Sequence, residues 1–261
     1  MISLIQLLKE VQDSPKAIFL AGPAGSGKSY MSTKLIPNTF TVINSDDTYE
    51  ELLKSSGIGL KQKDFTPDQL SQASKLQAQA RKSTQSKYEK LVANKDHVIL
   101  DGTGGALSPL LKKKQQLEDL GYKTLMLMIY VSPLTSLERN QERDRSLMPG
   151  IVLRNWKDVN KNIESYKQAF GNNFILLNNN PKDAKIEFNS TLLEPFIKDS
   201  TAIGKPKSPE DQAKSDADKA QLNKDIESMV SQLPEFDTID TAKNKINEFI
   251  SQITYISTFR I

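Results

Sequence analysis

Lys16-Ala17-Ile18-Phe19-Leu20-Ala21 runs directly into Gly22-Pro23-Ala24-Gly25-Ser26-Gly27-Lys28-Ser29. The first six residues read as a buried strand, and the next eight fit G-x-x-x-x-G-K-[ST]. Glycines allow successive backbone N–H groups to curl around a polyphosphate, and the N-terminus of the following helix adds its positive dipole end. In this pattern Gly22, Ala24, Gly25, Ser26 and Gly27 supply the cradle. Lys28 reaches the β- and γ-phosphates, and the Ser29 hydroxyl ligates Mg²⁺. A chance glycine-rich turn would not also sit between a strand and a helical segment. A phosphate-binding loop identifies a nucleotide, with ATP and Mg²⁺ as expected ligands, but it leaves the reaction open.

Outward from the loop, Thr41-Val42-Ile43, His97 to Leu100, Thr124 to Val131 and Phe174 to Leu177 are further β-rich runs. Helical patterns at Gln69 to Val92, Leu110 to Leu120 and Leu153 to Phe170 separate them. The longest opens on Thr66-Pro67-Asp68-Gln69, a capping box with proline at the first helical position. Strands alternating with helices predict a parallel α/β sheet with helices on both faces over residues 1–198, which with the glycine-rich loop reads as a P-loop NTPase fold.

Asp46 and Asp47 follow the second strand, at the sheet edge where α/β proteins bind ligands. A carboxylate there can deprotonate an acceptor hydroxyl, while Asp is also a common N-cap. With two available, one can cap and the other act. Val98-Ile99-Leu100-Asp101 has the form of a strand whose terminal acid serves Mg²⁺. Thr103, in the Gly-rich stretch that follows, is a candidate substrate contact. A D-x-D-G-T phosphatase pattern is excluded because Ile99 stands where its first acid would be. His97, the one histidine, opens a strand and is read as structural.

Arg139 and Arg143 are four apart and would share a helix face. Beside a phosphate loop, and before Met148-Pro149-Gly150 as a hinge, they read as cations of a closing lid. The interleaved Glu138, Glu142 and Asp144 also suit a solvated helix. Arg154 is a weaker candidate of the same kind.

Taken together, these motifs resemble the P-loop kinases that include the polynucleotide 5′-hydroxyl kinases and the zeta-toxin type nucleotide-sugar kinases. The likeness spans about residues 16–180. It implies that Asp46 is the acceptor-activating base, Asp47 an acceptor contact, and Arg143 the lid arginine on the phosphates. The polynucleotide kinases carry an arginine soon after the paired acids, where this chain has Thr48 and Tyr49. The implied activity is ATP-dependent phosphoryl transfer to a hydroxyl of a nucleic-acid 5′ end, a nucleotide sugar or another small molecule. The alternative is a nucleotide-binding interaction protein that uses the loop as a switch.

Composition narrows the field. The chain has 261 residues, 37% apolar and 26% charged, so collagen-like and fully disordered classes are excluded. A net charge of +3 gives no case by itself for nucleic-acid binding. Cysteine is absent, which removes disulfides, thiolate metal sites and thiol catalysis. No membrane span or signal peptide is expected, and a cytoplasmic location follows.

Near residue 199 the character changes. Residues 199–219 are polar and read as a linker. Residues 220–261 carry two apolar stripes, Leu222 to Leu233 and Ile239 to Ile253, around Pro234-Glu235-Phe236-Asp237. They predict a helical hairpin that docks on the kinase-like domain, self-associates or binds another protein, with a protein contact favoured.

Overall fold

Strand β1, Lys16–Ala21, is buried along its whole length, as expected of a central parallel strand. The computed structural model describes residues 14–180 and 239–251. Beyond β1, the elements in chain order are helix α1 (Lys28–Leu35), β2 (Thr41–Ile43), α2 (Ser45–Ser55), α3 (Pro67–Ala93), β3 (Val98–Asp101), α4 (Leu107–Asp119), β4 (Lys123–Tyr130), α5 (Pro133–Gln141), α6 (Pro149–Asn160), α7 (Ile163–Phe170), β5 (Phe174–Asn178) and α8 (Ile239–Ser251). The sheet order is β2-β3-β1-β4-β5, and every pairing is parallel. The order sets the carboxyl ends of β2, β3 and β1 side by side, the edge at which open α/β sheets bind ligands.

Side-chain alternation divides the core between two faces. Ala17, Phe19 and Ala21 join Met126, Met128 and Tyr130 beneath α3, α4, α6 and α7. Ile18 and Leu20 join Leu125, Leu127, Ile175 and Leu177 on the opposite face. Among the described residues before 181, helix α1 alone contributes helical side chains, Met31 and Leu35, to that second core.

Helix α8 completes it. Ala242, Ile246 and Phe249 are buried against β5 and α1. Burying Ile246 and Phe249 is worth on the order of 1.5–3 kcal/mol each. The favoured expectation for this stripe is a contact with another protein; the structure instead places its Ala242, Ile246 and Phe249 on the sheet face that, among the described residues before 181, carries α1 alone. The 199–219 linker and the stripe from Leu222 lie outside the described residues.

The capping box at Thr66 and Gln69 forms as read from sequence. The single helix expected over Leu153 to Phe170 is instead two, α6 and α7, separated at Lys161 and Asn162. There the Asn162 amide turns to donate to the Gly104 and Gly105 carbonyls. His97 is structural: its Nδ1 accepts from Lys16 N–H at 3.1 Å, and Phe40 stacks on its ring. Among the described residues, no helix is long and apolar enough to cross a membrane.

Candidate functional site

Five consecutive carbonyls of the glycine-rich loop are occupied as acceptors. Lys28 Nζ donates to Gly22 O (2.8 Å) and Pro23 O (3.1 Å). Ser136 Oγ donates to Ala24 O (2.5 Å), Arg139 Nη1 to Gly25 O (3.4 Å), and Asn179 Nδ2 to Ser26 O (2.9 Å). With these carbonyls tied off, and the Gly22 and Ser26 N–H groups donating to Thr103 O and Pro23 O, the remaining N–H groups are what the loop can offer an anion, the chemistry of a phosphate cradle. Two glycines are sterically required. A Cβ on Gly22 would lie 2.7 Å from Ile129 O. One on Gly25, where φ is +72°, would lie 2.7 Å from Ser136 O. Ala24 packs with Leu137, Val152 and Leu153, anchoring the loop to α5 and α6.

A cleft of about 820 Å³ opens above this loop. It is lined by Ala24, Gly25, Ser26, Gly27, Lys28 and Ser29, and by Asp46, Asp47, Asp101, Thr103, Arg139 and Arg143. Arg154 lines it too. Of the residues singled out from sequence, Gly22 alone stays beneath the cleft, its N–H donating to Thr103 O at 3.0 Å.

Two local expectations change. The N-cap of α2 is Asn44, whose side chain accepts from Asp46 N–H at 2.7 Å, so neither aspartate caps the helix. Asn44 has the extended backbone of a cap, whereas Asp46 and Asp47 already lie in the first helical turn, favourably disposed to the helix dipole. Arg139 and Arg143 do not share a helix face, because α5 ends at Gln141 and Arg143 lies in the bend beyond it. That bend is pinned by the buried Asn140, whose amide donates to Leu147 O (2.9 Å) and accepts from Leu147 N–H (3.1 Å).

The bend also carries a residue that sequence reasoning missed. Arg145 Nη2 meets Asp46 Oδ2 at 2.8 Å, and its Nε lies 4.0 Å from Glu50 Oε2. Its side chain is only 10% exposed and lies over the Tyr49 ring, 5.8 Å from the centroid. Arg145 stands ninety-odd residues from its partner in sequence. The one available signal is a third arginine closing the Arg139–Arg143 series.

Charges are densely coupled here. Burial lowers the Lys28 pKa and Arg143 lowers it further, while Asp101 and Asp46 oppose them. Burial pushes Asp101 up to about 6, with Asp46 and Asp47 adding to the rise and Lys28 and Asn44 opposing it. Asn44 Nδ2 donates to Asp101 Oδ2 at 2.9 Å. Partial burial, then Asp46 and Glu50, raise Asp47. The other Asp101 oxygen, Oδ1, is buried with no protein hydrogen-bond partner. Among the described residues no cluster of three His, Cys, Asp or Glu could hold a metal ion. Ser29 Oγ and Asp101 are oxygen donors of the kind Mg²⁺ takes when phosphates and water complete its shell.

Among curated proteins none matches the chain in sequence. Similar solved structures include one from the PezAT chromosomal toxin–antitoxin system of Streptococcus pneumoniae, at 18% identity and a TM-score of 0.45. That match covers 67% of this chain and 75% of the other. The Pnkp1/Rnl/Hen1 RNA repair complex matches at 18% identity and a TM-score of 0.44, over 58% of this chain and 46% of that one. AvrRxo1-ORF1:-ORF2 with ATP matches at 16% identity and a TM-score of 0.49, over 92% and 86%. Residues 18–164, spanning the glycine-rich loop, both acid-bearing strand ends and the arginine segment, match the AAA domain family model AAA_33, and the chain belongs to that family of P-loop, kinase-like domains.

Proposed function

We propose that the protein is an ATP-dependent phosphotransferase that moves the γ-phosphoryl group to a hydroxyl. The observation that carries this reading is the Asp46 carboxylate in the same cleft as the phosphate loop, with one oxygen engaged by Arg145. A carboxylate oriented opposite a phosphate loop is a group that can take the proton of an acceptor hydroxyl, which supports transfer over holding of nucleotide alone.

In this reading the loop amides and Lys28 hold the ATP phosphates. Asp46 accepts the proton of the acceptor hydroxyl through Oδ1, while Arg145 fixes the carboxylate through Oδ2. The acceptor oxygen bonds to the γ-phosphorus, the bond to the β,γ-bridging oxygen breaks, and ADP leaves. Lys28 and Arg143 neutralise charge that develops on the transferred group. Arg139 ties the loop through Gly25 O and lines the nucleotide side. Asp47 and Thr103 are the proposed acceptor contacts. Mg²⁺, held by Ser29 Oγ and by Asp101 directly or through water, would supply charge neutralisation on the phosphates; the orphaned Asp101 Oδ1 suits that ligand.

The test is incubation with γ-labelled ATP and panels of 5′-hydroxyl oligonucleotides, nucleotide sugars and other small hydroxyl compounds. Label on one class identifies the acceptor. ATP binding without label transfer to any class would instead support a nucleotide-binding interaction protein.

A further inference from the structure

Two arginines reach the cleft from a segment with little backbone structure of its own. Helix α5 ends at Gln141, and α6 begins at Pro149. Among the described residues, the backbone of residues 143–147 makes one hydrogen bond to other backbone, Ser146 O accepting from Gln62 N–H at 3.4 Å. A segment so sparsely bonded does not hold one path by itself. Yet Arg145 Nη2 stands 2.8 Å from Asp46 Oδ2, and Arg143 lines the cleft close enough to Lys28 to lower its pKa. Something other than the segment's own backbone sets both arginines.

The Asn140 side chain supplies the constraint. Its Nδ2 donates to Leu147 O at 2.9 Å, and its Oδ1 accepts from Leu147 N–H at 3.1 Å. A carboxamide carries donor and acceptor in one plane, so it pairs with both polar groups of one residue as a neighbouring strand would. Two bonds of opposite direction fix rotation as well as distance, and they close residues 141–146 into a loop. Asn140 is 1% exposed, so water does not compete for either bond. Leu147 packs in turn on the apolar cluster that holds Ala24 of the phosphate loop. From the same helix Ser136 and Arg139 donate to the Ala24 and Gly25 carbonyls. Helix α5 thus holds the phosphate loop and the foot of the bend at once.

We propose that Asn140 is a positioning residue for phosphoryl transfer: by closing the bend onto α5 it sets Arg143 at the phosphates and Arg145 against Asp46, and so governs the rate of transfer rather than the affinity for nucleotide. The effect on rate rests on the kinase reading; the placement of the bend does not. Asn140 is not among the residues that line the cleft, so it acts through the two arginines and touches neither ATP nor acceptor. Displacing a reacting or charge-neutralising group by about 1 Å can cost on the order of 100-fold in rate. The loop and Lys28, which carry nucleotide binding, keep the ties of Lys28, Ser136, Arg139 and Asn179 when Asn140 is replaced.

The experiment combines hydrogen exchange, calorimetry and ATP turnover on the full chain, with Asn140→Ala and Asn140→Ser as variants. In the unsubstituted chain the Leu147 and Gln62 amides should exchange slowly, since they make the two attachments of the bend. Each variant should speed exchange at these two amides by about tenfold or more, while the amides of β1 and β4 keep their protection. Because the acceptor is open, the rate is read as labelled phosphate released from γ-labelled ATP. Water then stands in for the acceptor hydroxyl, its oxygen bonding to the γ-phosphorus as ADP leaves. Release should fall about 10- to 100-fold in the variants, with affinity for a β,γ-imido ATP analogue unchanged. Asn140→Ala combined with Arg145→Ala should lose less than the product of the two single losses, because both act through one contact.

Fast exchange at Leu147 in the unsubstituted chain would overturn the proposal, and that measurement needs no variant to fold. Unchanged phosphate release in both variants would also overturn it, as would losses that multiply with Arg145→Ala. Protection lost throughout the sheet in both variants would make Asn140 a support of the whole fold and overturn it too. A chain that binds the analogue but neither releases phosphate nor labels an acceptor sinks the kinase reading and the effect on rate with it. Exchange at Leu147 and Gln62 then decides by itself whether Asn140 places the arginines.

Discussion

The two walls of the cleft are built by different means. The phosphate-loop wall is backbone: its carbonyls are tied off by Lys28, Ser136, Arg139 and Asn179, which leaves the anion to the amides other than those of Gly22 and Ser26. The facing wall is side chain: Asp46 on α2, next to Asp47, meets Arg145 from a bend after α5. A backbone cradle recognises any polyphosphate, because every residue has an N–H. A wall of side chains selects, because replacing one residue changes what it binds. On the proposed reading, the first wall takes the nucleotide and the second is where the choice of acceptor resides.

Substitutions test that contrast. The largest effect is expected at Asp46. Asp46→Asn should slow phosphoryl transfer by about 10²–10⁴-fold with ATP affinity little changed, and Asp47→Asn should do less. Transfer assays with labelled ATP rank the pair, and the reverse ranking would move the base to Asp47. Next comes the arginine bend. Arg143→Ala should lower turnover by about 10²–10³-fold while barely altering nucleotide affinity. Arg145→Ala should also lower turnover, and Arg145→Lys should restore part of it by regaining the contact to Asp46. Normal turnover in Arg143→Ala would leave that residue a solvated surface cation.

The loop wall should respond in binding. Lys28→Ala is expected to weaken ATP by about ten- to a hundredfold, the scale of lost charge-assisted hydrogen bonds. Equal affinity by calorimetry would break the assignment of the loop.

The smallest effect is on stability. Asp101 has a pKa raised to about 6 by burial, so its ionised form is disfavoured in the fold relative to the unfolded chain. The stabilising contribution of its protonated form is complete below its unfolded pKa and disappears as pH rises through about 6. Asp101→Asn, which stays neutral, should therefore raise the melting temperature of the nucleotide- and metal-free protein by a few degrees at pH 7–8. The gain should shrink toward pH 4.5. Melts showing one constant offset across that range would refute the burial argument.

What the sequence made legible follows the same division. The strand before the loop, the loop itself and the Thr66 capping box are local patterns, readable because each depends on residues within a few positions. The strand ends that carry Asp46 and Asp101 were readable for the same reason. Asn44 as the cap was missed because Asn and Asp compete for that role within two residues. Arg145 was missed because its meeting with Asp46 depends on the sheet order and on a bend held by Asn140. The arginine helix was overextended past Gln141, since charge spacing alone does not mark a helix end. The destination of the Ile239 stripe depends on a tertiary fact, the sheet face that it shares with α1.

That last feature has a bearing on how the protein is made. The chain runs from Asn178 to Phe249 between the last of the described strands and the helix packed on it. On the ribosome, the strands are complete while Ile175 and Leu177 still lack the cover that Ala242, Ile246 and Phe249 provide. The nascent domain thus passes through an interval with an open apolar face, the kind of surface that chaperones hold and that aggregates when crowded. A chain terminated before residue 239 would lack the cover of Ala242, Ile246 and Phe249, so loss of the end of the message is expected to lower the yield of folded protein whatever the state of the cleft.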